Sequence, residues 1–266
     1  MNRPGLSIVK LGGSVVTRKQ REERVRPKVL ARLARELRGA TGPVVLLHGA
    51  GSFGHPGAVR FGLARAPRKG VSEDQRRRGA AIVSAEVRRL HLAVLRELVR
   101  AGGRPWSLPP AGVAWNREGR LESIETKPFE ETLDAGMTPV AFGDVVPDRV
   151  WGHSILSGDT IAVELTRRLA PQRVLFVTDV PGILDPEGGP RPQVVGELTE
   201  ELVGRLSERT AGPDVTGGIR RKAEAMLEIA RLGADAGLIS GLTDGALSRA
   251  LRGEPVFGSW CRAASR

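Results

Sequence analysis

A single cysteine, Cys261, stands in the 266 residues, which excludes an intrachain disulfide framework and a multi-cysteine metal site. Tyrosine is absent. The six phenylalanines and four tryptophans do not interleave with basic residues as a base-stacking surface requires. No apolar run approaches the roughly 18 residues of a membrane-spanning helix. The opening MNRPGLSIVKLGG is too short in apolar residues for a secretory leader. These absences predict a soluble, cytoplasmic protein without a membrane partner. Lysine is scarce as well: only Lys10, Lys19, Lys28, Lys69, Lys127 and Lys222 among 41 basic residues. Several of them sit in or beside glycine-rich stretches.

What is present reads as an ordinary globular chain, 40% hydrophobic and 27% charged, with enough length for one large α/β domain or two small ones. The net charge of +11 raises the question of a nucleic-acid partner. However, the arginines are spread through amphipathic segments such as ARLARELRGA and SAEVRRLHLAVLRELVRAG, and RRR at 76–78 is the only uninterrupted trio. A solvated surface accounts for them, and no nucleic-acid partner is expected.

Strand and helix signals alternate along the chain. LSIVK (6–10), VVLL (44–47), TPVAF (138–142), RVLFVTDV (173–180) and ADAGLISG (234–241) are short apolar runs. Between them lie helical patterns at 27–40, 73–100, 159–170 and 219–233, with Val83, Val87, Leu90, Val94 and Leu98 stepping along one face of the longest. This alternation predicts an α/β fold with a mainly parallel sheet covered on both faces. The segment 109–125 is irregular and suits a hairpin, while 185–193 and 210–218 read as surface loops.

Such sheets bind ligands beyond the carboxyl ends of their strands. Four glycine loops fall there: LGGS (11–14), HGAGSFG (48–54), SGD (157–159) and TGG (216–218). Each offers backbone N–H groups to phosphate oxygens. Gly49, Gly51 and Gly54 spell the G-x-G-x-x-G of dinucleotide-binding proteins, and Glu73 and Asp74 stand at a suitable distance. His55, Pro56 and Gly57 follow at once, and AVRFGLARAPRKG shows no apolar helix period, so the helix which that motif demands is expected to be missing. No G-x-x-x-x-G-K-[ST] occurs. Phosphoryl transfer accounts for more of the pieces, because its catalysis is positioning plus cationic and N–H stabilisation. Lys10 leaves a strand into Gly12–Gly13, and Lys222 is expected in the first turn of a helix after Gly217–Gly218. Asp159 either caps a helix or holds two lysines at the reacting centre.

The ordered set IVKLGGSVVTRK, VVLLHGAGSFGHP, TPVAFGDVV, LSGDT, FVTDVPGI and DVTGGIRRK resembles the amino acid kinase family over nearly the whole chain. The closing histidine of HGAGSFGH and the downstream Lys19 are similar to the branch of that family acting on isopentenyl phosphate. The resemblance implies a three-layer αβα sandwich in one domain, with approximately 1–170 binding the acceptor and 171–266 the nucleotide, in a homodimer. It implies ATP as Mg-ATP, a small-molecule acceptor, and transfer of the γ-phosphoryl group to isopentenyl phosphate for isoprenoid synthesis. By matching motif, Lys10 touches the ATP phosphates beside Gly12, Gly13 and Ser14, and Lys19 steadies the moving group. Ala50 and Gly51 line the junction of the two substrates. His55 hydrogen-bonds the acceptor phosphate, Gly158 touches the acceptor and Asp159 orients the lysines. Asp179, Gly217 and Lys222 lie at the nucleotide.

Duller roles compete. His48 supports its loop, His91 is structural, and His153 sits in an irregular loop. Asp144 shapes a turn, Asp179 alternatively closes one, and Lys19 belongs to a charge run. Ile82, Val83 and Ile155 are candidates for an apolar tail slot. The competing acceptors are a phosphonate such as fosfomycin, or a carboxylate such as glutamate. A basic nucleic-acid binder without turnover is the alternative from another class.

Overall fold

Alternation of side chains along each buried strand sorts this molecule into layers. The computed structural model describes residues 3–18, 23–67, 70–185, 193–208 and 217–263. Lys19 and most of the segments 185–193 and 210–218 expected as surface loops lie outside the described residues. The strands are β1 (Ser7–Leu11), β2 (Val44–His48), β3 (Pro105–Ser107), β4 (Ala114–Arg117), β5 (Arg120–Ile124), β6 (Thr138–Phe142), β7 (Asp144–Asp148), β8 (Gly152–Leu156), β9 (Arg173–Thr178), β10 (Asp235–Ser240) and β11 (Gly258–Cys261). The helices are α1 (Gly13–Val16), α2 (Pro27–Leu37), α3 (Gly51–Arg60), α4 (Glu73–Arg100), α5 (Lys127–Asp134), α6 (Gly158–Leu169), α7 (Glu200–Glu208), α8 (Gly217–Arg231) and α9 (Ala246–Leu251).

Seven strands form the main sheet in the order β11-β10-β9-β1-β2-β6-β3. Every pair is parallel except β10 with β11. In β1, Ile8 packs with residues of α5, α6, α7 and α8, while Val9 and Leu11 pack with α2, α4 and α9. That is the three-layer sandwich, with a parallel sheet whose strand ends share one edge. There Leu11 pairs with His48 and with Val177, and His48 pairs with Phe142.

Helix α4 begins where Ser72 and Gln75 cap each other: the Ser72 hydroxyl accepts from Gln75 N at 3.1 Å, and Gln75 Oε1 accepts from Ser72 N at 2.8 Å. Segment 109–125 contains the expected hairpin, β4–β5, turning at Glu118 and Gly119 with φ of 51° and 74°. The sequence did not reveal that this hairpin joins β7 and β8 in a second sheet, of order β5-β4-β7-β8. Asp148 ties the two hairpins together. Its carboxylate accepts from the N–H groups of Glu118, Gly119, Val150 and Trp151 at 2.8–3.1 Å and from the Ser154 hydroxyl at 2.7 Å. Burial opposes its charge, yet these donors hold it at a pKa of about 2.

Three expectations need correcting. A helix does open inside the glycine turn, at Gly51. Beside Phe53 and Ala58 its inner side carries glycines where apolar side chains would mark the period: a Cβ on Gly54 would come within 3.0 Å of Val87 Cγ2, and one on Gly57 within 2.6 Å of Val83 Cγ2. His153 lies in strand β8 rather than in a loop. Helix α8 starts at Gly217, which places Lys222 in its second turn instead of its first.

Candidate active site

Lys10 shares the parity of Ile8 in β1, so its side chain points toward α6 and α8. Its Nζ lies 2.7 Å from Asp159 Oδ1. From α8, Lys222 Nζ donates to the other oxygen, Oδ2, at 2.9 Å. One carboxylate therefore bridges two ammonium groups. The helix cap belongs to another residue: the Ser157 hydroxyl accepts from Thr160 N at 3.1 Å. Asp159 is thereby released for the lysines. Burial would raise its pKa, but the charges of Lys10 and Lys222 hold it at about 2. Burial lowers the pKa of Lys10, a trend that Asp159 opposes and Lys222 reinforces.

The turns after β1 and β2 meet through bare backbone. A Cβ on Gly13 would overlap Gly51 N, and Gly51 itself has φ of 51°. Thr17 clamps the same junction: its hydroxyl donates to Gly13 O at 2.7 Å and accepts from Ser52 N at 3.0 Å. Next to it, Gly12 N donates to Val177 O at 2.7 Å, and the Ser14 hydroxyl donates to Asp179 Oδ1 at 2.5 Å. Asp179 is thus fastened to the turn after β1.

A cavity of about 630 Å³ opens at this edge, and Lys10, Ala50, His55, Gly158, Asp159 and Lys222 all line it. Gly12, Gly13, Ser14, Gly51 and Asp179 belong to the adjoining turns rather than to its lining. Gly217 precedes Gly218, which does line it. The apolar wall comes from Ala58, Val83, Val87, Ile155 and Leu156. Two of the three tail candidates are therefore in place. Ile82 is not: it lines a separate cavity of about 540 Å³ on the other side of α3.

Asp144 is the residue whose place sequence reasoning missed. It lines the main cavity and is buried, with its oxygens 3.1 and 3.2 Å from the Arg88 guanidinium. Burial raises its pKa against the pull of Arg88. The only sequence signal was an acidic residue directly after the Gly143 turn. His48 and His91 are buried neighbours, His48 stacked on Phe142 and His91 tilted against it. His153 is exposed on β8.

Comparisons with known proteins assign the family. Residues 5–239 match the model of the amino acid kinase family. The chain belongs to the amino acid kinase family. Among relatives in it, the isopentenyl phosphate kinase of Methanothermobacter thermautotrophicus is 35% identical, the match covering 95% of this chain and 97% of that protein. The isopentenyl phosphate kinase of Thermoplasma acidophilum is 32% identical over 84% of this chain and 86% of that one. A solved isopentenyl phosphate kinase structure superposes with a TM-score of 0.83 at 30% identity, over 96% of this chain and 99% of that chain. As an amino acid kinase family member, the chain is a phosphotransferase. Among the described residues no helix is long and apolar enough to cross a membrane.

Proposed function

We propose that this chain transfers the γ-phosphoryl group of ATP to isopentenyl phosphate, giving isopentenyl diphosphate and ADP. The observation carrying this reading is one cavity that combines Lys10, Asp159, Lys222 and His55 with an apolar wall. It is supported by relatives bearing that activity in their names over most of the chain.

The chemistry follows from charge. A phosphate monoester has a second pKa of about 6, so the acceptor is already a nucleophilic anion and needs no general base. The transferring group passes through a loose, metaphosphate-like transition state whose charge spreads over its oxygens. Lys10 and Lys222 meet that charge, and Asp159 fixes where the two ammonium groups point. His55, exposed on α3, hydrogen-bonds the acceptor phosphate beside Ala50 and Gly158. Val83, Val87 and Ile155 face its apolar tail. Gly12, Gly13, Ser14, Gly51, Asp179 and Gly217 hold the nucleotide, and Lys19 steadies the moving phosphoryl group. In this assignment approximately 1–170 receives the acceptor and 171–266 the nucleotide. In this reading Mg²⁺ arrives on the phosphates of ATP, keeping several of its waters, as part of the substrate. The protein acts in the cytoplasm as a homodimer.

The test is ADP release with Mg-ATP against isopentenyl phosphate, dimethylallyl phosphate, fosfomycin, glutamate and UMP. Isopentenyl phosphate is expected to be the preferred acceptor, and preference for glutamate or UMP would refute the proposal. His55→Ala is expected to abolish turnover of isopentenyl phosphate while ATP binding persists.

A further inference from the structure

We infer that His48 is a positioning residue, whose ring fixes the Gly49–Ala50 peptide at the cavity through a proton arrangement shared with His91 and Ser107. The inference rests on the proposed role of Ala50 at the junction of the two substrates. His48 is the last residue of β2 and has the parity of Val44 and Leu46, which pack with α4. Its ring is fully buried, 5.3 Å from the Phe142 ring at an interplanar angle of 17°.

The protons follow by elimination. His48 Nδ1 lies 3.1 Å from the Gly49 carbonyl oxygen, which only accepts, so Nδ1 carries the hydrogen. A neutral ring then has a bare Nε2. That atom lies 3.0 Å from His91 Nδ1, which must donate. His91 Nε2 is bare in turn and accepts from the Ser107 hydroxyl at 2.7 Å. A hydroxyl ends the chain well, because it rotates to donate. Any other neutral assignment aims a lone pair at the Gly49 carbonyl or two lone pairs at each other. Burial, with further repulsion from nearby charges, depresses both imidazoles, His48 to about 4 and His91 to about 3, so both are neutral near pH 7.

The consequence falls on Gly49. Its N–H is used by Leu11 O at 2.9 Å, and its carbonyl is held by the His48 ring. Among the described residues no peptide bond is cis, so the N–H of Ala50 lies anti to that carbonyl. Holding one orients the other before any anion arrives, as preorganised donors require. Ala50 lines the cavity beside Lys10 and Gly158.

Long-range proton–nitrogen spectra of the ligand-free protein, labelled in histidine nitrogen, test the arrangement directly. A proton on Nδ1 and a bare Nε2 are expected in both rings. A proton on Nε2 of either ring would overturn the inference, whatever the substrate proves to be. The functional arm compares two variants. His48→Asn places its amide where Nδ1 was, whereas His48→Gln places it near Nε2. His48→Asn is expected to keep kcat within about threefold, and His48→Gln to lose about ten- to hundredfold in kcat with little change in KM for ATP. Native kcat in His48→Gln, or equal losses in both variants, would overturn the inference. Should His48→Gln fail to fold, the spectra of the native protein decide. Turnover of isopentenyl phosphate by the native protein tests the substrate assignment separately.

Discussion

Replacing Asp159 by asparagine keeps the shape of the side chain and deletes the charge that two lysines share. The two Nζ atoms lie 2.7 and 2.9 Å from its two oxygens. Sharing one carboxylate, they lie at most about 8 Å apart, where like charges repel by about 2 kcal/mol or more at an effective dielectric near 20. Removing one partner of a buried ion pair commonly costs about 3–5 kcal/mol, which agrees in size. For a chain of this length 1 kcal/mol corresponds to roughly 2–4 °C in Tm, so the ligand-free variant should melt roughly 6–12 °C below the native protein. The deficit should narrow as pH rises, because burial already lowers the pKa of Lys10 and loss of Asp159 lets that lysine shed its proton. The sign reverses when a polyanion arrives, since phosphate oxygens then supply the missing negative charge. Tripolyphosphate or ATP should raise the Tm of Asp159→Asn by more than that of the native protein, and ATP should bind at least as tightly. Turnover should nevertheless fall about a hundredfold or more, because the ammonium groups are no longer aimed. Thermal melts with and without tripolyphosphate, alongside ADP release, measure all of this. A native Tm in the ligand-free variant, or a smaller gain from tripolyphosphate, would refute the reasoning.

Three further outcomes are expected. His48 and His91 have folded pKa values of about 4 and about 3, below the unfolded value of about 6.5. Their contribution is therefore complete above pH 6.5 and is lost as pH falls toward 4, amounting to about 3 kcal/mol for His48 alone; urea midpoints should drop across that window, and a flat profile would contradict it. Gly13→Ala should abolish turnover while leaving circular dichroism unchanged, because its Cβ would overlap the Gly51 backbone and part the two turns; retained activity would show that their contact is dispensable. Asp148→Ala strands five donors and should reduce unfolding free energy by about 3 kcal/mol or more, read from urea denaturation.

Strands β1, β2, β6, β9 and β10 were legible because each is a short apolar run, and α4 because its apolar period is local. The site was legible where a residue type is rare: Lys10 and Lys222 stand out in a chain that otherwise favours arginine. Helix α3 was not legible, because glycine rather than an apolar residue faces α4 at Gly54 and Gly57. The second sheet was missed because its coherence depends on Asp148, whose donors are spread from Glu118 to Ser154. The same holds for Asp144, whose partner Arg88 is 56 residues distant in the chain. Sequence left Asp159 open between two roles, and only the placement of Ser157 as the cap resolved them.

The glycine face of α3 also indicates where acceptor size is adjustable. At Gly54 and Gly57 only a hydrogen atom separates the α3 backbone from Val87 and Val83, so a larger residue at either position forces the helices apart. Val83 and Val87 are buried against those glycines, whereas Ile155 on β8 lines the cavity and is only half-buried. Directed diversification aimed at longer or shorter acceptors should therefore spend its library on position 155 and leave 51, 54 and 57 untouched.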